Sequence, residues 1–316
     1  MTRRLWSLAP AVVALGWLQA SVALAQDEEA DAAPAYSRSG ADTCLNCHGD
    51  NPVVLGIFRT KHARPNDPRT PFGHGQLQCE ACHGPGGAHT KRPKKGEERT
   101  PVVQFGEGAV TPVRQQNEMC LGCHNSHAGN WHTSAHDDNE VGCADCHSAH
   151  DPRDPVLRKA TQADVCGACH GIQIQKANML QPFAHPLRDG QMACSSCHSP
   201  HGSLSQAMLN RDSVNETCYQ CHPDKRGPFL WEHQPVGEDC TLCHQPHGTA
   251  HPAMLNQRPP FLCQQCHGLQ GHPSVPGLPS GLPGGSPSAS LLAVGCVNCH
   301  SQVHGSNHPS GTRLSR

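Results

Sequence analysis

Aromatic side chains make up only 4% of this chain, and hydrophobic residues of all kinds 36%. A sequence that poor in large apolar groups cannot build much of a core from its own side chains. Uninterrupted segments are scarce too. The 31 glycines and 28 prolines fall every few residues, which excludes long helices. No strand-like alternation of apolar and polar residues runs through the chain, so it cannot itself be a membrane barrel. An excess of positive charge is also lacking, with 24 Lys and Arg against 26 Asp and Glu. That balance supplies no basic face for nucleic acid.

Cysteine and histidine are plentiful instead, with 20 and 25 residues. Residues 120–150, CLGCHNSHAGNWHTSAHDDNEVGCADCHSAH, show how they are arranged. Cys120, Cys123 and His124 form one Cys-x-x-Cys-His run, and Cys143, Cys146 and His147 form a second. The same run occurs ten times. The cysteine pairs are Cys44 and Cys47, Cys79 and Cys82, Cys120 and Cys123, Cys143 and Cys146, Cys166 and Cys169, Cys194 and Cys197, Cys218 and Cys221, Cys240 and Cys243, Cys263 and Cys266, and Cys296 and Cys299. They account for every cysteine in the chain. The histidines that follow are His48, His83, His124, His147, His170, His198, His222, His244, His267 and His300.

This spacing is that of covalent haem c attachment. Two thiols must reach the vinyl groups along one edge of a porphyrin while the adjacent imidazole reaches the iron at its centre. Zinc ribbons also use Cys-x-x-Cys, but they do not need a histidine after every second cysteine. A secreted disulfide framework leaves that histidine equally unexplained. The expected fold class is therefore a multihaem cytochrome c, mostly irregular with short helices, in an elongated array of ten covalently bound haems. The macrocycles supply the apolar core that the side chains lack, so folding and haem binding are expected to be one event.

Residues 1–25 read as a secretory signal peptide, with Arg3 and Arg4, an apolar stretch from Leu5 to Val22 and a small-residue cleavage site at Ala23-Leu24-Ala25. Export before haem attachment favours passage of the unfolded chain, although the paired arginines also fit a twin-arginine route. An uncleaved anchor is the alternative, since the apolar run approaches spanning length. Removal of the signal leaves 22 basic against 26 acidic side chains. Residues 26–43 read as a flexible acidic lead-in. Residues 44–316 read as one decahaem domain whose motifs recur with first-cysteine spacings of 35, 41, 23, 23, 28, 24, 22, 23 and 33. Such periods describe a stacked array. Pairing successive motifs gives five two-haem units that begin at Cys44, Cys120, Cys166, Cys218 and Cys263. Short helical turns are expected to carry many of the motifs, with Glu118 and Asp164 as acidic first-turn signals. The segment 271–290, rich in Pro, Gly and Ser, reads as a loop inserted in the fifth unit.

Ten proximal histidines leave fifteen others. If each iron takes one on its second face, every site is six-coordinate and closed to substrate. Candidates recur at two places. Inner histidines lie between the two motifs of each unit, at His62, His136, His185, His233 and His272. Trailing histidines follow the second motif, at His89, His150, His201, His247 and His304. A trailing histidine sits too near its own proximal ligand to straddle the same porphyrin, so it is expected to reach a neighbouring haem. His74 competes with His62, His132 with His136, and His308 with His304, while His127 and His251 are left over. The six methionines show no recurring offset from the motifs, and bis-histidine ligation favours lower potentials than His/Met.

With these motifs in place, the chain resembles the MtrA/DmsE family of decahaem c-type cytochromes, which includes PioA-like iron-oxidation proteins. The supporting stretches are CEACHGPGGAH (79–89), CHPDKRGPFLWEHQPVGEDCTLCHQPHG (221–248), FLCQQCHG (261–268) and CVNCHSQVHGSNHPSG (296–311). The insertion at 271–290 departs from the family pattern and bears on His272. The resemblance implies a wire of bis-histidine haems inserted in an outer-membrane porin-like β-barrel, often with an outer-surface multihaem cytochrome. On that reading the protein is an electron carrier rather than an enzyme. It would work in the periplasm in association with the outer membrane and exchange electrons with periplasmic or inner-membrane electron-transfer proteins. The alternatives are a soluble periplasmic shuttle and a multihaem oxidoreductase, the latter needing an open iron that ten complete motifs do not offer.

Overall fold

Each haem-binding motif is closed by a single helical turn. In eight of them the histidine N–H donates to the carbonyl of the first cysteine at 2.9–3.0 Å, as in His147 to Cys143 and His244 to Cys240. The other two lie inside longer helices. The computed structural model describes residues 35–171, 180–268, 295–309 and 311–314, so the expected signal peptide and the 271–290 insertion fall outside it. Among the described residues there is no strand longer than an isolated bridge, and short helices carry the organisation.

The two motifs of a unit differ in their support. First motifs begin on α-helices: α1 (Ala41–His48), α2 (Val113–His124), α3 (Lys159–Gly167), α4 (Val214–Tyr219) and α5 (Phe261–Gln264). Second motifs sit on one-turn segments such as Cys143–Cys146 and Cys240–Leu242. Glu118 and Asp164 prove to be mid-helix residues rather than first-turn signals. Helix α2 starts at Val113 after Pro112, and α3 at Lys159. Pro112 fixes the backbone torsion just before α2, whereas α3 follows Arg158.

Buried amides bind the two motifs of a unit together. Asn117, only 2% exposed, donates to the Val141 carbonyl at 3.0 Å and accepts from the Cys143 N–H at 2.8 Å. Asn215 repeats this in the fourth unit, bonding the Val236 carbonyl and the Cys240 N–H. Gln162 does similar work in the third, between Val156 and Ser195. Truncation of Asn117 to alanine leaves a buried donor and acceptor without partners, a loss of about 1–3 kcal/mol. We expect the holoprotein carrying Asn117→Ala to unfold at lower denaturant with its full haem complement. An unchanged midpoint would mean that the clamp is dispensable.

The expected flexible lead-in ends earlier than residue 43. Ser37 donates from N–H and hydroxyl to the Glu80 carboxylate at 2.9 and 2.7 Å, Gly87 N–H donates to Ala35 O, and Ala41 N–H donates to Gln78. Glu80, 5% exposed, makes residues 35–43 part of the first unit by satisfying its buried charge there. The apolar core among the described residues consists of Ala41, Ile57, Leu121, Trp131, Val156 and Ala193. Around it runs a continuous cavity of about 4410 Å³, lined from Thr43 to His247 by motif cysteines and histidines. That is several times the roughly 300–1,000 Å³ of a single-ligand pocket.

Candidate haem sites

Nine of the motif histidines face a second imidazole across a gap of one size. Ring centroids lie 6.4 Å apart for His48 and His89, 6.0 Å for His62 and His124, and 6.2 Å for His83 and His150. They are 5.9 Å apart for His136 and His170, 6.0 Å for His147 and His201, and 6.4 Å for His185 and His222. The remaining three pairs are His198 with His247 at 6.2 Å, His233 with His267 at 6.0 Å, and His244 with His304 at 6.1 Å. Two metal–nitrogen bonds of about 2 Å, in line with two rings, place centroids about 6 Å apart. The rings are too far apart to stack on each other and correctly spaced for an iron between them.

The pairing follows a rule. The inner histidine of each unit faces the first motif of the next unit, and the trailing histidine of that next unit faces the second motif of the previous one. At the junction of the second and third units, His136 faces His170 while His201 faces His147. Each of the four junctions is thus crossed twice. The first unit closes on itself, His89 facing His48. His272, the remaining distal candidate, lies outside the described residues, as does any pairing of it with His300.

Hydrogen bonds aim these rings. His136, His185 and His233 donate from Nδ1 to the carbonyls of Pro200, Pro246 and Val303, each one residue before a trailing histidine. The same contact therefore seats the inner ring and the trailing segment. Among second-motif histidines, His198 donates to Ala207 O at 2.9 Å and His244 to Ala253 O at 2.8 Å. Both acceptors lie in a repeated Ala-Met-Leu-Asn turn, with Ala207 and Ala253 at φ 53° and 57°. An Nδ1–H bond leaves Nε2 free to ligate a metal. Burial is the main cause holding the imidazoles of His62, His83, His201, His247 and His304 below the usual histidine range, in the neutral form that binds iron.

The thiols run through the molecule in chain order. Within each unit the two first cysteines lie close enough for their thiols to act on one another: Cys44 and Cys79, Cys120 and Cys143, Cys166 and Cys194, Cys218 and Cys240, Cys263 and Cys296. Burial, reinforced by Cys44, pushes the Cys79 thiol up to about 12. Between units the closing cysteine of one lies within electrostatic reach of the opening cysteines of the next: Cys82 of Cys120, Cys146 of Cys169, Cys197 of Cys218, and Cys243 of Cys266. The buried Trp131 and Trp231 indole N–H groups have no hydrogen-bond partner among the described residues, and Trp131 lines the cavity, which suits an acceptor carried by a group there. Trp131 also packs against His136 and His201 together. The donor set, the ring gaps and the shared void all fit haem c.

Competing histidines are sorted by geometry. His62 rather than His74 faces a motif histidine, as does His136 rather than His132, and His304 faces His244. His132 instead contacts Asp137 at 3.2 Å. His127 lies 6.1 Å from His124 but occupies the turn directly after it, with its N–H bonded to the His124 carbonyl, and so cannot reach round a porphyrin. The leftover His251 bonds Thr249 through its backbone. Reasoning from sequence missed Trp131 and the amide clamps. The recurrence of Asn three residues before Cys120 and Cys218 was the signal available for the latter.

The doubled CXXCH motif family matches residues 185–227 and 233–272, each match beginning on an inner histidine and framing the junction between two units. The NrfB-like c-type cytochrome family matches residues 79–160. The chain is 48% identical to the multiheme cytochrome MtrA of Shewanella baltica over 284 residues, covering 89% of this chain and 83% of that protein. It is 28% identical to the cytochrome c-type protein NrfB of Escherichia coli over 40% of this chain and 77% of that protein. A third relative, NrfB of Haemophilus influenzae, is 27% identical over 37% of this chain and 54% of that protein.

Proposed function

Because this chain belongs to the MtrA family of multihaem c-type cytochromes, which bind haem c covalently and transfer electrons, we propose that it is a decahaem conduit across the outer membrane. Twenty cysteines fit ten haems. Each motif histidine is the proximal ligand in this reading, and the inner and trailing sets are the distal ligands, with His272 assigned to His300. Bound haem c supplies the iron that is alternately reduced and oxidised. The protein anchors each ring at two thioethers, closes both iron faces with imidazole, and orders the rings along the chain.

The observation that carries the proposal is the succession of neighbouring cysteine pairs, alternating within and between units in sequence order. A soluble carrier needs one or two accessible haems, whereas a row of ten addresses distance. A bilayer core is about 30 Å thick, and among the described residues no helix is long and apolar enough to cross it. The sheath is therefore a partner, an outer-membrane porin-like β-barrel, with an outer-surface multihaem cytochrome beyond it and periplasmic or inner-membrane electron-transfer proteins on the other side. The protein itself resides in the periplasm, associated with the outer membrane. Closed irons leave no place for a substrate, so the chain is a carrier and not an enzyme.

Vesicles loaded with a reduced, impermeant dye and facing an external acceptor test this. Oxidation of the dye is expected only when cytochrome and barrel are both present. Equal rates with the barrel alone would reject the conduit, and a cytochrome that never co-purifies with an outer-membrane protein would favour the periplasmic shuttle.

A further inference from the structure

One proximal histidine is held differently from the others. His147 directs Nδ1 at 2.8 Å to a side-chain carboxylate, Oδ2 of Asp154. The equivalent histidines of the other units, His83, His198, His244 and His300, all use neutral backbone carbonyls, those of Val103, Ala207, Ala253 and Arg313. The sequence shows the cause. In the third and fourth units the acceptor lies nine residues after the histidine, in the Ala-Met-Leu-Asn turn. In the second unit the segment reads HSAHDPRDPVL, and Asp154 stands only seven residues on. The turn begins eight residues after the histidine in all three units, at Pro155, Gln206 and Pro252, but Val156 at the ninth position is not left-handed as Ala207 and Ala253 are, and the aspartate side chain takes the place of the carbonyl.

The carboxylate is enclosed and given over to this contact. The Asp154 side chain is 11% exposed, and His147 is its one ion-pair partner among the described residues. Its second oxygen, Oδ1, is buried with no hydrogen-bond donor. It begins the turn Pro155–Leu157 without capping it through the side chain. Neither neighbouring arginine, Arg153 or Arg158, is paired with it, so its charge is not spent elsewhere.

We infer that Asp154 is a tuning residue that lowers the reduction potential of the haem bound by Cys143, Cys146 and His147, the fourth of the ten. Two effects act in the same direction. A carboxylate accepting the Nδ1 proton makes the imidazole a stronger donor to iron, and stronger donation favours the ferric state. A negative charge held in a poorly solvated place near the iron favours the extra positive charge of that same state. A neutral carbonyl in the other four units supplies neither to this degree. The fourth haem is thereby held oxidised when its neighbours are reduced, a high step for electrons inside the row. This inference rests on His147 and His201 being the two ligands of that iron.

The test is a redox titration of the full holoprotein carrying Asp154→Asn, which keeps an acceptor of the same shape without the charge. One component in ten is expected to move upward by about tenfold in its reduction equilibrium, or about 59 mV for a one-electron couple. Asp154→Glu should return it toward the original value. Asp151→Asn, which removes an exposed carboxylate from the same loop, should move nothing comparable. A titration unchanged by Asp154→Asn in a protein that remains low-spin overturns the inference. A high-spin iron in the unaltered protein would instead overturn the ligand reading beneath it. If the asparagine variant does not accumulate, the unaltered ferric protein still decides. One near-infrared charge-transfer band in ten should lie at higher energy, as for an imidazole with imidazolate character, and a uniform set of bands refutes the proposal.

Discussion

Replacement of His247 by alanine is expected to open a single iron, the one bound through Cys194, Cys197 and His198. The His247 ring faces His198 at a centroid distance of 6.2 Å, and among the described residues neither ring pairs with another imidazole at that range. Alanine leaves a void on that face of the haem and nothing else to fill it. About a tenth of the ferric haem should become high-spin, and the reduced protein should bind carbon monoxide once per chain. His233→Ala should do the same at the iron of Cys263, Cys266 and His267. Persistence of a fully low-spin spectrum in both variants would show the distal assignments to be wrong. The effect on architecture should depend on what remains at the junction. His247→Ala removes one of two imidazole pairs between the third and fourth units, His185 facing His222 being the other, beside the Phe183–Thr249 backbone bridge. Loss of both in a His185→Ala, His247→Ala double variant should expose the junction to limited proteolysis far more than the sum of the single changes. Residues in one network couple in this way.

Without haem, the chain is expected to lose its tertiary structure altogether. Six apolar side chains are buried among the described residues, and two of them are alanines. Motif cysteines and histidines, with buried polar groups such as Glu80 and Asn117, surround a cavity of about 4410 Å³. Water would fill it, and the rings now held 6 Å apart would have no reason to stay so. Loop closure across each junction costs entropy that only the iron–imidazole bonds and the buried macrocycle surface offset. Protein made without haem attachment, with its thiols reduced, should give the circular dichroism of an unfolded chain and be digested at many sites. The holoprotein should resist the same protease. A cooperative unfolding transition in the haem-free chain would contradict this.

What could be read without coordinates was whatever depends on short spacings along the chain. Attachment requires two thiols and an imidazole within five residues, so Cys143, Cys146 and His147 declare themselves. The trailing histidines sit three to six residues beyond the second motifs, and their recurrence marks them as a set. The cofactor class, the scarcity of long helices and the poverty of the core follow from the same local counts. Pairing does not. His83 meets His150 and His62 meets His124 across 67 and 62 residues of chain. Those meetings depend on how one unit stacks on the next. That stacking is supported by carbonyls such as Pro200 and Pro246 that receive an inner histidine from the preceding unit, while Asn117 and Asn215 hold the two motifs within a unit. The choice of Asp154 as the partner of His147 belongs to the same level. An aspartate seven residues from a ligand is ordinary in sequence. A turn that carries Val156 where the other units place a left-handed alanine makes that aspartate the acceptor for one ligand histidine.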